Sequence, residues 1–281
     1  MELELELESE RTRRGRARTT RRALRRARRE RRDAMIDVTL DARGVRVITI
    51  DNPARGNALA SADAVRALAR ALARDDGARV VVLCGSGASR HFCSGIDLRA
   101  AREVFAMDER DVASDPVLAM EACEAPIVGA VHGDCVNAGF ELALGCDALV
   151  ASEDARFVDT HATIGILPSW GLSVKLSRSV GANAARACSV FGRAMDARRA
   201  EALGLTCATT KDAASAKAKA MEMAMAVCEM APGGASAIKR AIHDGLGVDE
   251  ARAAERRRAF ANYRAVAREK FAAFNARRSK L

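Results

Sequence analysis

Three short, unbroken apolar runs do most to limit what this chain can fold into. They are VVVLC (80–84), IVGAV (127–131) and DALVAS (147–152). None alternates polar and apolar residues, so each reads as a strand buried on both faces. Helical patterns separate them, and strand–helix alternation calls for crossover connections and parallel pairing. Upstream, IDVTL (36–40) and VRVITI (45–50) read as two further strands joined by the turn Asp41-Ala42-Arg43-Gly44. Ser61 is placed to cap a helix running through about Arg74, with Val65, Leu68 and Leu72 on one face. The predicted class is α/β.

The 281 residues suffice for one sizeable α/β domain with extra helices. Aromatic residues are only 4% against 49% hydrophobic, so the core must be built mainly from Ala, Val, Leu and Ile. Three segments separate by composition. Residues 1–34 form an acidic repeat followed by an Arg-dense run, which cannot bury enough apolar surface to fold alone and reads as disordered. Residues 35–209 form the α/β core with the expected active site, and residues 210–281 read as nearly all helix. In the last segment Met221, Ala224, Met225 and Cys228 have the spacing of a packed helix face.

Charge is uneven. Residues 1–33 hold 13 Arg against 7 acidic residues, which leaves only +3 of the net +9 for the rest. Three readings of that arm compete: a binder of acidic surfaces or nucleic acid, a transit-like presequence, or an extension upstream of a start at Met35. The last is preferred, because recognisable structure begins directly after Met35. The eight cysteines form no CxxC pair and His is scarce, so neither a zinc site nor a disulfide ladder is expected. Reduced cysteines packed in the core are the expectation. No apolar stretch reaches the roughly 18 residues of a membrane span.

Two Gly-containing segments carry the chemistry. CGSGASRHFCSGIDL (84–98) follows a buried strand and is rich in small residues, so backbone N–H groups there can approach a ligand. VHGDCVNAGFELALGCDALVA (131–151) leads from a strand through a Gly loop into a helix beginning near Asn137. Free N–H groups at a helix start favour a developing negative charge. Glu141 lies in the first turns of that helix among Ala, Phe and Leu, where desolvation would raise its pKa toward the range of a general base. Its bland alternative is a favourable charge near a helix N-terminus.

Together, in order and spacing, these segments resemble the signature loops of the enoyl-CoA hydratase, or crotonase, superfamily. ITIDNPARGNAL (48–59) and RFVDTHATIGILPSWGLSVKLSRSVG (156–181) extend the resemblance over most of the chain. It implies a crotonase (ClpP-like) spiral of ββα units with a C-terminal helical trimerisation region. It also implies that the backbone N–H groups of Ile96 and Ala138 form an oxyanion hole. The family's Gly-Gly-Gly turn is Asn137-Ala138-Gly139 here; alanine keeps its N–H, while its methyl narrows the site. The two proton-transfer residues fall on Glu141 and His161. The family's usual Glu is replaced by His at the second position, which can exchange a proton at cellular pH, with Asp159 two residues away to orient it.

The resemblance places coenzyme A contacts on backbone around Ser94, Gly95, Asp97 and Leu98, and near Ala54 and Asn57. Coenzyme A is then part of the substrate, and no separate cofactor or metal is expected. The implied reaction is hydration of trans-2-enoyl-CoA to 3-hydroxyacyl-CoA in fatty-acid β-oxidation. Two alternatives stand: a Δ3,Δ2-enoyl-CoA isomerase using Glu141 alone, and a non-catalytic crotonase-scaffold binder with an RNA-binding basic arm. The dienoyl-CoA isomerases' additional Asp is Ser169 here. A homotrimer or dimer of trimers is implied. The terminal Ser279-Lys280-Leu281 is the tripeptide read by the peroxisomal import receptor, so a peroxisomal location is expected.

Overall fold

The computed structural model describes residues 35–104 and 112–265. The predicted disordered extension (1–34) and the tripeptide Ser279-Lys280-Leu281 lie outside the described residues. β1 (Ile36–Leu40) and β2 (Val45–Ile50) pair as an antiparallel hairpin. Its turn is closed by Asp41, whose Oδ1 accepts the N–H groups of Arg43 and Val45, each at 2.9 Å. Helix α1 (Ala62–Leu72) follows; the Ser61 hydroxyl accepts the Ala64 N–H at 3.1 Å, the capping its sequence predicts.

The chain then winds through three similar turns. The first runs β3 (Val80–Gly85), β4 (His91–Cys93) and α2 (Ala101–Val104). Helix α3 (Pro116–Ala122) leads into the second: β5 (Ile127–Val131), β6 (Asp134–Val136) and α4 (Ala138–Gly145). The third is β7 (Ala148–Ser152), β8 (Arg156–Val158) and α5 (His161–Ile164). Next come α6 (Leu172–Val180), α7 (Ala182–Ser189), β9 (Met195–Asp196), α8 (Ala197–Ala202) and β10 (Ala208–Thr210). Three long helices complete the described chain: α9 (Ala213–Glu229), α10 (Gly234–Leu246) and α11 (Asp249–Ala265).

Each turn of this spiral gives one strand to each of two sheets. The larger has the order β1-β2-β3-β5-β7-β10 and is parallel beyond the first hairpin; the smaller has the order β4-β6-β8-β9. β4, β6 and β8 run parallel, so their carboxyl ends emerge side by side. The three runs that set the fold class are β3, β5 and β7, with β3 and β5 buried at every residue. The small-sheet strands sit inside segments whose sequence reads as Gly loops, because three residues are too few to show a period. Gly133, between β5 and β6, has φ 54, and a Cβ there would lie 1.7 Å from the Arg90 carbonyl oxygen. Only glycine fits that crossing.

One face of the large sheet packs on α1, α3 and α4 through Leu68, Leu72, Met120 and Leu142. The other is covered by α9, whose Ala216, Ala220 and Ala224 meet Val80, Val82, Val128 and Val150. Here the structure corrects the sequence reading. The contact face is centred on these alanines with Met223 and Val227, and includes Met221 and Cys228 but not Met225. Alanines at i, i+4 and i+8 let the helix backbone approach the valine-rich sheet closely, which a methionine stripe would prevent. Cys207 is exposed rather than packed in the core; Cys84, Cys93, Cys135 and Cys188 are buried, and all eight cysteines are free. No helix among the described residues is long and apolar enough to cross a membrane.

The close approach of α9 generates a test. Ala220→Leu adds three carbons at a fully buried contact and should cost about 1–3 kcal/mol. Urea unfolding should show a lowered midpoint at unchanged slope.

Candidate active site

The carboxyl ends of β4, β6 and β8 converge on one region, and the residues just beyond them are chemically distinctive. After β4, the segment 94–98 runs beside Leu59. The Leu59 N–H donates to the Gly95 oxygen at 2.9 Å, and the Asp97 N–H donates to the Leu59 oxygen at 3.0 Å. In this parallel bridge Ile96 lies opposite Leu59, so its own N–H points away from Leu59. Gly95, with φ 89, packs against the start of α4: a Cβ there would lie 2.9 Å from the Val136 oxygen and 3.5 Å from the Ala138 nitrogen. Ala138 is the first residue of α4, where an N–H has no intrahelical partner. Among the described residues neither the Ile96 nor the Ala138 N–H meets an acceptor.

Glu141 sits one turn along α4 and is only 2% exposed. Its Oε1 accepts the backbone N–H groups of Ser169 at 3.1 Å and Trp170 at 2.7 Å. Burial pushes its pKa up; His161 and the Trp170 hydrogen bond pull it down, Glu255 pushes it up again, and the balance lies at about 7. His161 begins α5, just past β8. Its Nδ1 lies 2.7 Å from Asp159 Oδ1, which also accepts the His161 backbone N–H at 2.9 Å. Burial opposes charge on the imidazole, but the Asp159 hydrogen bond and the carboxylates of Glu141, Asp159 and Glu255 outweigh it, so its pKa is raised. Burial likewise opposes ionisation of Asp159, and the His161 interactions overcome it to hold that carboxyl below its ordinary range. The contact therefore favours the charged form of both partners, beside a second carboxyl whose pKa is pushed up to about 7.

Partners invisible to the sequence reading hold this arrangement. The loop 169–173 turns four N–H groups on two buried carboxylates. Ser169 and Trp170 serve Glu141, while Gly171 and Ser173 donate to Glu255 of α11 at 2.6 and 2.8 Å. Arg252 and Arg256 of the same helix pair with Asp115, which is 0% exposed and caps α3 through the N–H groups of Val117 and Leu118. The Tyr263 hydroxyl donates to the Leu167 oxygen at 2.7 Å. The Asp115-Pro116 step is a helix-start signal that the sequence does carry; the long-range reach of Glu255 has no local signal.

A cleft of about 550 Å³ adjoins the loop. Ala54, Ser94, Ile96, Asp97 and Leu98 line it, together with Arg55 and Arg99, which both pair with Asp97. Asn57 lies beneath this surface. It is 0% exposed, and its side chain accepts from Asn52 N–H and donates to the Ser86 and His91 carbonyl oxygens. Its side chain braces the segment between β3 and β4.

Residues 41–279 match the family model described as enoyl-CoA hydratase/isomerase. A relative from Arabidopsis thaliana, named probable enoyl-CoA hydratase 1, peroxisomal, is 44% identical over 242 residues, covering 84% of this chain and 90% of that protein. A probable enoyl-CoA hydratase from Rhodobacter capsulatus is 35% identical over 211 residues, covering 72% and 79% of the two chains. Among solved structures, an enoyl-CoA hydratase/isomerase from Pseudoalteromonas atlantica superposes with a TM-score of 0.76 at 31% identity, covering 86% of this chain and 97% of that one.

The buried ionic cluster makes a prediction about stability. Asp115→Ala removes the buried carboxylate that Arg252 and Arg256 share, while Arg252 keeps Glu121, and should cost about 3–5 kcal/mol. Chemical denaturation measures the loss, and hydrogen exchange should locate it in α3 and α11.

Proposed function

The chain belongs to the enoyl-CoA hydratase/isomerase family, and on that footing we propose that it adds water to a trans-2-enoyl-CoA thioester, giving the 3-hydroxyacyl-CoA. The observation that carries this reading is a pair of buried proton-transfer groups: the Glu141 carboxyl, held by the Ser169 and Trp170 N–H groups with its pKa pushed up to about 7, and the His161 imidazole, bonded to Asp159 through Nδ1 with its pKa raised. A hydration needs one group to take a proton from water and another to give one to carbon.

In this mechanism the thioester oxygen lies between the N–H groups of Ile96 and Ala138. Glu141, as carboxylate, takes a proton from water while the water oxygen bonds to Cβ. The electron pair of the double bond moves through Cα onto the carbonyl oxygen, and the two N–H groups stabilise the enolate. A single such donor is worth about 10²–10³ in rate. His161, bonded to Asp159 through Nδ1, gives its Nε2 proton to Cα as the enolate collapses. Return of the proton from Glu141 to His161 resets the site, with water as the net addition.

The cleft beside residues 94–98 supports the coenzyme A reading. Arg55 and Arg99 share one carboxylate, so either can turn its guanidinium to a phosphate while the other keeps Asp97 paired. Coenzyme A enters as part of the substrate, and the product suits fatty-acid β-oxidation. The Ser279-Lys280-Leu281 terminus supports delivery by the peroxisomal import receptor, in keeping with the name of the Arabidopsis relative. Trimer formation, alone or as a dimer of trimers, is supported by α10, which exposes Ile238, Ile242 and Leu246 in one stripe at 64%, 60% and 50%.

Hydration of enoyl-CoA thioesters, followed by loss of the conjugated absorbance, tests the reading. Glu141→Gln should lower kcat by about 10³-fold or more while acyl-CoA still binds; full activity would overturn the assignment. His161→Ala should lower hydration by about 10²-fold, whereas a single-base isomerase would keep its rate. The active form has Glu141 ionised and His161 protonated, so kcat/KM should rise through pH about 7 and fall at higher pH as the imidazolium deprotonates. Because His161 lowers the Glu141 pKa, the residual activity of His161→Ala should have its rising limb shifted to higher pH.

For the assembly, sedimentation should give a trimer or hexamer for the parent protein. The double substitution Ile238→Glu, Ile242→Glu should give a monomer.

A further inference from the structure

Asn137 immediately precedes the Ala138 donor, and its backbone stands at φ 49, ψ −112. Asn137 and Asn57 are the described non-glycine residues with positive φ. A residue with a Cβ is disfavoured in this conformation, and glycine is the ordinary occupant. Something must hold an asparagine there, and its side chain shows what. Asn137 Oδ1 accepts the Thr160 N–H at 2.7 Å, and Asn137 Nδ2 donates to Thr160 Oγ1 at 2.8 Å. The backbone of Asn137 is equally committed. Its N–H donates to the Val158 oxygen at 3.0 Å, and its oxygen accepts the Glu141 N–H at 2.8 Å.

These four bonds join groups that the fold brings from separate strands. β6 and β8 end their pairing at Val136 and Val158. Beyond that point the amide of Asn137 continues the ladder with a side chain in place of backbone, reaching Thr160, the residue before His161. One residue thus touches Thr160, which precedes His161's helix, the backbone of Glu141 and, through the chain itself, the Ala138 N–H. We infer that Asn137 is a positioning residue, which with Thr160 fixes the separation between the oxyanion donors and His161. This rests on reading the Ile96 and Ala138 N–H groups as an oxyanion hole. A glycine at 137 would adopt the same φ with less strain but could not span to Thr160. The asparagine trades backbone ease for a fixed spacing.

The test uses Asn137→Gly, Thr160→Val and Thr160→Ser. The first keeps the backbone conformation accessible, the second keeps the shape of Thr160 without its hydroxyl, and the third keeps the hydroxyl. Two readouts are taken: kcat and KM with a short enoyl-CoA, and the enolate absorbance of bound acetoacetyl-CoA, which reports the donors without turnover. Asn137→Gly should fold and melt near the parent temperature. It should lower kcat by about 10- to 100-fold with little change in KM, and weaken the enolate signal. Thr160→Val should move both readouts the same way, and Thr160→Ser should restore them to near parent values. Parent-like kcat and enolate signal in Asn137→Gly would overturn the inference. So would a fall in kcat matched by a fall in melting temperature and recovered on cooling, which marks a purely structural role. A parent protein that holds no enolate also overturns it, because the hole itself is then missing. A parent that holds the enolate yet does not hydrate refutes only the hydratase reading, and the enolate signal of the variants still decides the role of Asn137.

Discussion

The hydrogen-bond register of β4, β6 and β8 decides where the groups assigned to the proposed reaction stand. Cys93 pairs with Cys135, Cys135 with Phe157, and Val136 with Val158. Two or three residues past each strand end come Ile96, Ala138 and His161. A slip of one residue in either pairing would turn an N–H or the imidazole away from the common point. The site is therefore a property of the small sheet's edge, and the large sheet serves to hold that edge in place. Gly139 shows how tight the junction is. A Cβ there would lie 2.2 Å from the Cys93 oxygen, so the start of α4 packs directly on the end of β4.

Burial then turns position into reactivity. Burial raises the Glu141 pKa, His161 and the Trp170 N–H oppose that rise, and the balance lies at about 7, where a base can both hold and release a proton. Each of these neighbours is itself restrained: His161 by Asp159, and the loop by Glu255 through Gly171 and Ser173. Glu255 of α11 is thus part of the same electrostatic balance as Glu141 and His161. Unpaired, any of them would be costly to bury.

Much of this was readable from the chain alone, for identifiable reasons. β3, β5 and β7 are buried on both faces, so their apolar runs are continuous and unmistakable. The Ser61 cap and the β1–β2 hairpin follow local turn and cap chemistry, which sequence states directly. Glu141 among apolar neighbours already suggested a raised pKa. The strands HFC, DCV and RFV were not legible, since three residues carry no periodicity. Nor was the role of Glu255, which lies within an Arg-rich helix and meets its partners more than eighty residues away. The resemblance assigns coenzyme A contacts to backbone near Asn57 and is silent on its side chain, whose amide is committed to three internal bonds. Local signals place elements; they do not say which polar side chain will be used up inside the fold.

The placement of Glu255 has a consequence for the protein during its own synthesis. Ile96, Ala138, Glu141 and His161 all leave the ribosome well before α11 does. A growing chain can form both sheets while loop 169–173 still lacks the carboxylate that Gly171 and Ser173 serve, so that loop takes its final shape only once α11 has been made.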